Sequence, residues 1–130
     1  MTVAWCFEDQ SIPYTDAVLQ AVIDGAAVVV PAIWKLEVVN TLVVAERRKK
    51  VAPAKSAVFL RNLQKFTITV DFDGLDWVFS TVLDQARLYQ RSAYDTSYLE
   101  LAKRRGLPLA TRDQPLAKAA QELGISLFRP

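Results

Sequence analysis

The sequence predicts an α/β domain in which a parallel sheet is covered by helices on both faces. Two observations carry that expectation. One phrase occurs three times, an amphipathic stretch closed by glycine and followed by a short apolar run, at Gly25–Pro31 (GAAVVVP), Gly106–Asp113 (GLPLATRD) and Gly124–Phe128 (GISLF). Each glycine ends a helix in the left-handed conformation that other residues avoid, and the run after it reads as a strand buried on both faces. A fourth run, Phe66–Asp71 (FTITVD), is rich in β-branched residues and follows a helical pattern, so strands and helices alternate along the chain.

The helices are expected over Pro13–Asp24, Ile33–Lys49, Pro53–Lys65, Leu75–Tyr89, Ala93–Arg105 and Pro115–Leu123. Prolines at the first helical positions of three of these fit their starts. The segment Thr2–Phe7 reads as a helical turn or an apolar stretch with no strand before it. No stretch between the elements has the composition of an interdomain linker, so residues 1–130 are read as one domain. A domain of this size buries roughly two thirds of the surface of its unfolded chain.

Composition excludes several classes. Hydrophobic residues make up 52% and charged residues 23%, which fits neither disorder nor a fibrous architecture. The one cysteine, Cys6, leaves no internal disulfide and no paired spacing for zinc, and reads as a small buried hydrophobe in a reducing cytoplasm. The chain has no histidine, which removes the commonest general base and the serine-hydrolase triads. Chemistry must then come from carboxylates, for which a metal held by oxygen ligands is the natural partner. The apolar run Gly25–Val30 is too short to span a bilayer, so no membrane association is expected. A net charge of +2 permits a polyanionic partner without requiring one.

Three acidic residues stand out by position. Helix Ile33–Lys49 is apolar nearly all round, which predicts burial on most sides, and Glu37, Asn40 and Thr41 form its one polar stripe at i, i+3 and i+4. Asp113 lies just past the run Leu107–Ala110, at the carboxyl end of a strand where parallel sheets gather ligands. It is also a fitting N-cap, with Pro115 in the first turn. Asp95 completes the helix-capping pattern Ser92-x-x-Asp95. Singly, each has a structural explanation, solvated strip or cap. With parallel strands all three fall at one sheet edge, where converging carboxylates need a cation between them.

These residues also carry a resemblance. The segments Ala4–Asp9 (AWCFED), Pro31–Leu42 (PAIWKLEVVNTL), Ser92–Ala102 (SAYDTSYLELA) and Leu107–Asp113 (LPLATRD) resemble, in order and spacing, the successive motifs of PIN-domain ribonuclease toxins of the VapC type. The likeness covers essentially the whole chain. It implies a three-layer α/β/α sandwich with a mainly parallel sheet, and an endoribonuclease that is the toxin of a type II toxin–antitoxin pair. It further implies Mg2+ or Mn2+ held by Glu37, Asp95 and Asp113 as catalytic and metal-binding residues, with Asn40 and Thr111 in support. The partners implied are RNA, a VapB-like antitoxin and a second copy in a homodimer.

The chain departs from that family at its start. Family members begin with a strand carrying the first acidic residue, in a pattern resembling Asp-Ala-Ser, ahead of the stretch aligned with Met1–Trp5. The expectation is a native protein longer by about one strand, or else a catalytically impaired PIN-like module that binds an antitoxin or RNA. A Rossmann-like nucleotide binder is disfavoured by the lack of a glycine-rich phosphate loop. The basic runs Arg47–Lys50 and Lys103–Arg105 read as helix C-terminal charges, and Trp5, Phe7, Trp34, Trp77 and Phe79 as core or dimer-interface residues.

Overall fold

The computed structural model describes residues 12–130. The fold is mixed α/β and mostly helical, with two short parallel strands. In order come α1 (Pro13–Ile23), β1 (Val28–Pro31), α2 (Trp34–Arg47), α3 (Pro53–Leu63) and β2 (Ile68–Asp71), followed by a composite helical run, then α5 (Ala93–Arg105) and α6 (Gln114–Glu122). The run consists of a 3-10 turn at Asp73–Trp77, a π turn at Val78–Val82 and α4 at Leu83–Tyr89. Strands β1 and β2 pair with each other. The two later apolar runs are reduced to a single parallel bridge between Leu109 and Leu127, closed by Leu109 N–H to Ser126 O and Phe128 N–H to Leu109 O, each 2.8 Å. The calls on Thr2–Phe7 and Cys6 lie outside the described residues.

The chain forms two compact units, residues 12–28 with 33–69 and Val29–Ala32 with Val70–Pro130. In the first, α1 is started by Thr15, which is fully buried; its hydroxyl accepts the Ile12 N–H at 3.1 Å and donates to the Ile12 carbonyl at 2.9 Å. Helix α2 corrects the expectation of all-round burial. Trp34, Val38, Leu42 and Ala45 form one buried stripe at i, i+4, i+8 and i+11, whereas Leu36 and Val39 are 66% and 46% exposed. The helix also stops at Arg47, because Lys49 turns left-handed (φ 57°) and sends its N–H back to Glu46 O.

The second unit is organised on α5, which packs against the 3-10 and π turns, α4 and α6. Leu99 and Ala120 are fully buried at the centre of a cluster with Ala102, Leu109, Leu116, Ala119 and Ile125. Helix α5 has the bounds the sequence predicts. Ser92 Oγ accepts the Asp95 N–H at one end, and Gly106 turns left-handed at the other (φ 63°). Gly25 and Gly124 also take positive φ, 106° and 76°, as the recurring phrase requires. A Cβ at Gly106 would meet nothing within 4 Å, so the cost of Gly106→Ala is backbone strain alone. It is expected to lower unfolding free energy by about 1 kcal/mol, measured by urea denaturation.

The expected helix Leu75–Tyr89 is corrected in kind, since two tighter and looser turns precede α4. The turn geometry leaves Trp77 45% and Phe79 94% exposed, so neither is a core residue, while Trp34, at 8%, is.

Candidate functional site

Asp95 and Asp113 come from two different helix N-termini and meet on one side chain. Asp95 stands in the first turn of α5, where its N–H is used by the Ser92 cap. Asp113 is the N-cap of α6, its Oδ1 accepting the Leu116 N–H at 2.9 Å. Asp113 is thus the N-cap that its position in the sequence suits, with only one of its two oxygens used by the cap. The other oxygen, Oδ2, and Asp95 Oδ2 both accept from Arg91 Nη2, the Asp95 contact measuring 3.3 Å and the Asp113 contact being the closer. Helix N-termini favour both carboxylates, and the guanidinium offsets their mutual repulsion.

Local structure fixes this meeting. Gln90 ends α4 in the left-handed region (φ 53°), an uncommon conformation for glutamine, and Arg91 N–H returns to Ala86 O at 3.2 Å. Arg91 thus leaves the end of α4 immediately before the Ser92 cap of α5. Thr111, expected in support, accepts the Asp113 N–H on Oγ1 at 3.1 Å, holding the residue ahead of its helix. Glu37 belongs to the other unit and is half-buried on α2, with Asn40 and Thr41 exposed beyond it; the Thr41 hydroxyl donates to the Glu37 carbonyl at 2.9 Å.

Sequence reasoning passed over a second ionic cluster. Asp71 at the end of β2 and Glu100 on α5 are both buried, and Arg104 lies between them. Its Nε donates to Glu100 Oε1 at 2.6 Å, Nη1 to Asp71 Oδ1 at 3.2 Å, and Nη2 to Asp71 Oδ2 at 2.6 Å and Glu100 Oε2 at 3.2 Å. The Gly74 N–H also donates to Asp71 Oδ2, at 2.9 Å. Hydrogen bonding by Arg104 holds the Asp71 carboxyl below its ordinary range against the opposing effect of burial, helped by Gly74 and the charges of Arg104 and Arg105. Bonds to Glu100 and then Asp71 raise the Arg104 guanidinium further. A Cβ on Gly74 would lie 3.0 Å from Asp71 Oδ2 and 3.1 Å from Glu100 Oε2, so a larger residue here requires the cluster's side chains to give by a few tenths of an ångström. Arg104 is the helix-end charge the sequence predicts and, half-buried, it also joins the two buried acids.

The donor chemistry of Asp95 and Asp113 suits a hard divalent cation, since two carboxylate oxygens from separate elements point to one place. Among the described residues, no group of three or more acidic, cysteine or histidine side chains is gathered to hold a metal ion. No helix among them is long and apolar enough to cross a membrane. Comparison with family models, curated proteins and solved structures gave no match.

Proposed function

We propose that the protein is a Mg2+- or Mn2+-dependent endoribonuclease of the PIN type, acting as the toxin of a toxin–antitoxin pair. The observation that supports this reading is the convergence of Asp95 and Asp113, two residues singled out in sequence, on a single cationic nitrogen. In the reading, Asp95 and Asp113 hold the metal, Thr111 supports them, and the domain is a three-layer α/β/α sandwich with a mainly parallel sheet. The bound cation would lower the pKa of water and offset charge developing on phosphate. The chain's own part is to present carboxylate oxygens and to fix Asp113 through Thr111 and the α6 cap. The partners are RNA, a VapB-like antitoxin and a second copy of the chain, in the cytoplasm.

Asp95 tests the reading directly. Native protein with Mn2+ is expected to cut RNA, and Asp95→Asn to cut it at least about a hundredfold more slowly. Equal cleavage rates would remove Asp95 from the chemistry. A second reading, a non-catalytic PIN-like binding module, is favoured by Arg91, which already offsets part of the charge of the two aspartates. In that case calorimetry finds no Mn2+ site dependent on Asp95.

A further inference from the structure

We propose that Arg91 is an in-chain counter-cation that competes with a divalent metal for Asp95 and Asp113 and must swing aside for the metal to load. The inference rests on the ribonuclease reading and adds to it a residue with a gating role. Its ground is the contrast between the two arginines that each bridge a pair of carboxylates in this fold.

Arg104 is engaged from every nitrogen. Its Nε, Nη1 and Nη2 all donate, and the acids it joins have side chains only 4% and 5% exposed. Such a cluster is structural, because removing the arginine leaves two buried charges without a partner. Arg91 is used differently. Both of its carboxylate contacts run through the one nitrogen Nη2, and its Nε is buried without a hydrogen-bond partner among the described residues. A buried donor left without a bond costs free energy for as long as the side chain stays where it is. The acids it joins are 40% and 35% exposed, so solvent reaches the pair.

On Asp113 the oxygen that Arg91 covers is also the one the cap leaves over for a metal. Asp113 Oδ1 is committed to the α6 cap, and both contacts to Arg91 are made by Oδ2 atoms. A guanidinium and a divalent ion repel each other and use the same acceptors, so binding of one excludes the other. The backbone of Arg91 is tied to Ala86, which leaves the side chain as the moving part. Arg91 thereby keeps the two carboxylates compatible when no metal is present and sets the concentration at which metal enters.

Mn2+ titration by calorimetry, with electron paramagnetic resonance of bound Mn2+, tests this on wild type, Arg91→Gln and the double variant Arg91→Gln with Asp113→Asn. Arg91→Gln is expected to bind Mn2+ about tenfold more tightly than wild type, a coupling of ordinary size, and the double variant to lose that gain. Melting gives a second readout: Arg91→Gln melts below wild type without Mn2+, and Mn2+ raises its Tm more, as tighter binding requires. If Arg91→Gln fails to fold, Arg91→Lys replaces it, keeping a charge but not the planar fork, and is expected to bind Mn2+ more tightly than wild type. Mn2+ binding by wild type that neither variant strengthens overturns the role of Arg91 and leaves the metal reading standing. Absence of Mn2+ binding in every form overturns both.

Discussion

Arg104→Met is expected to lower the unfolding free energy by about 3–5 kcal/mol, the usual cost of stranding buried charges by removing their partner. Asp71 and Glu100 remain behind with side chains 4% and 5% exposed. Methionine matches much of the arginine stem, so lost packing contributes little and the electrostatic loss dominates. Urea denaturation measures the effect without the screening that guanidinium would add. A loss below about 1 kcal/mol would mean that water or neighbouring groups replace Arg104, as they do at exposed ion pairs. Gly74→Ala should weaken the same cluster from the other side, by forcing apart Asp71, Glu100 and Arg104, each within 3.2 Å of the added methyl.

The pH dependence of the Arg104 variant has a defined sign. In wild type the folded pKa of Asp71 lies below its unfolded value, chiefly through Arg104. Its stabilising contribution is full above the ordinary carboxylate range and is lost as pH falls through the depressed folded value. In Arg104→Met the largest lowering influence is gone, and burial, which favours the protonated acid, is opposed only by the Gly74 N–H and the charge of Arg105. The variant therefore loses less stability than wild type as pH falls through that range. The gap between the two denaturation midpoints should narrow from neutral pH towards pH 4.

What was legible in the sequence follows from how local each interaction is. Helix α5 is read with its correct bounds because Ser92 and Gly106 act on their own helix. The pairing of Arg104 with Glu100 and of Arg91 with Asp95 is visible as i, i+4 spacing, a signal present in the sequence but overlooked there. Asp71 lies 33 residues from Arg104 and Arg91 lies 22 from Asp113, and nothing in linear spacing announces either contact. The composite run Asp73–Tyr89 was illegible for another reason. Its apolar residues fit a helix of any pitch, and Gly74 is fixed by the tertiary demands of Asp71 rather than by the run itself. Helix α2 departs from its expected burial because apolar content measures what a helix can bury, whereas Leu36 and Val39 stay 66% and 46% exposed.

Asp113 offers the sharpest separation of structure from chemistry, because its two oxygens carry different duties. Asparagine caps a helix as well as aspartate does, so Asp113→Asn keeps an acceptor for the Leu116 N–H while removing the charge that faces Arg91. Under the ribonuclease reading, Mn2+-dependent RNA cleavage should fall by about a hundredfold or more in Asp113→Asn. Unfolding free energy should change by no more than about 0.5 kcal/mol, since the aspartate is part-exposed and its cap survives. Asp113→Ala removes the cap as well, and is expected to lose about 1 kcal/mol of stability on top of the same loss of cleavage. Gel-based cleavage rates and urea midpoints on the two variants give both quantities. If Asp113→Asn cleaves as wild type does and only Asp113→Ala is impaired, the cap is what Asp113 contributes, and the convergence with Asp95 on Arg91 is a structural ion pair. If cleavage is lost in both while only the alanine variant is destabilised, the charge on Oδ2 serves a purpose that folding does not require.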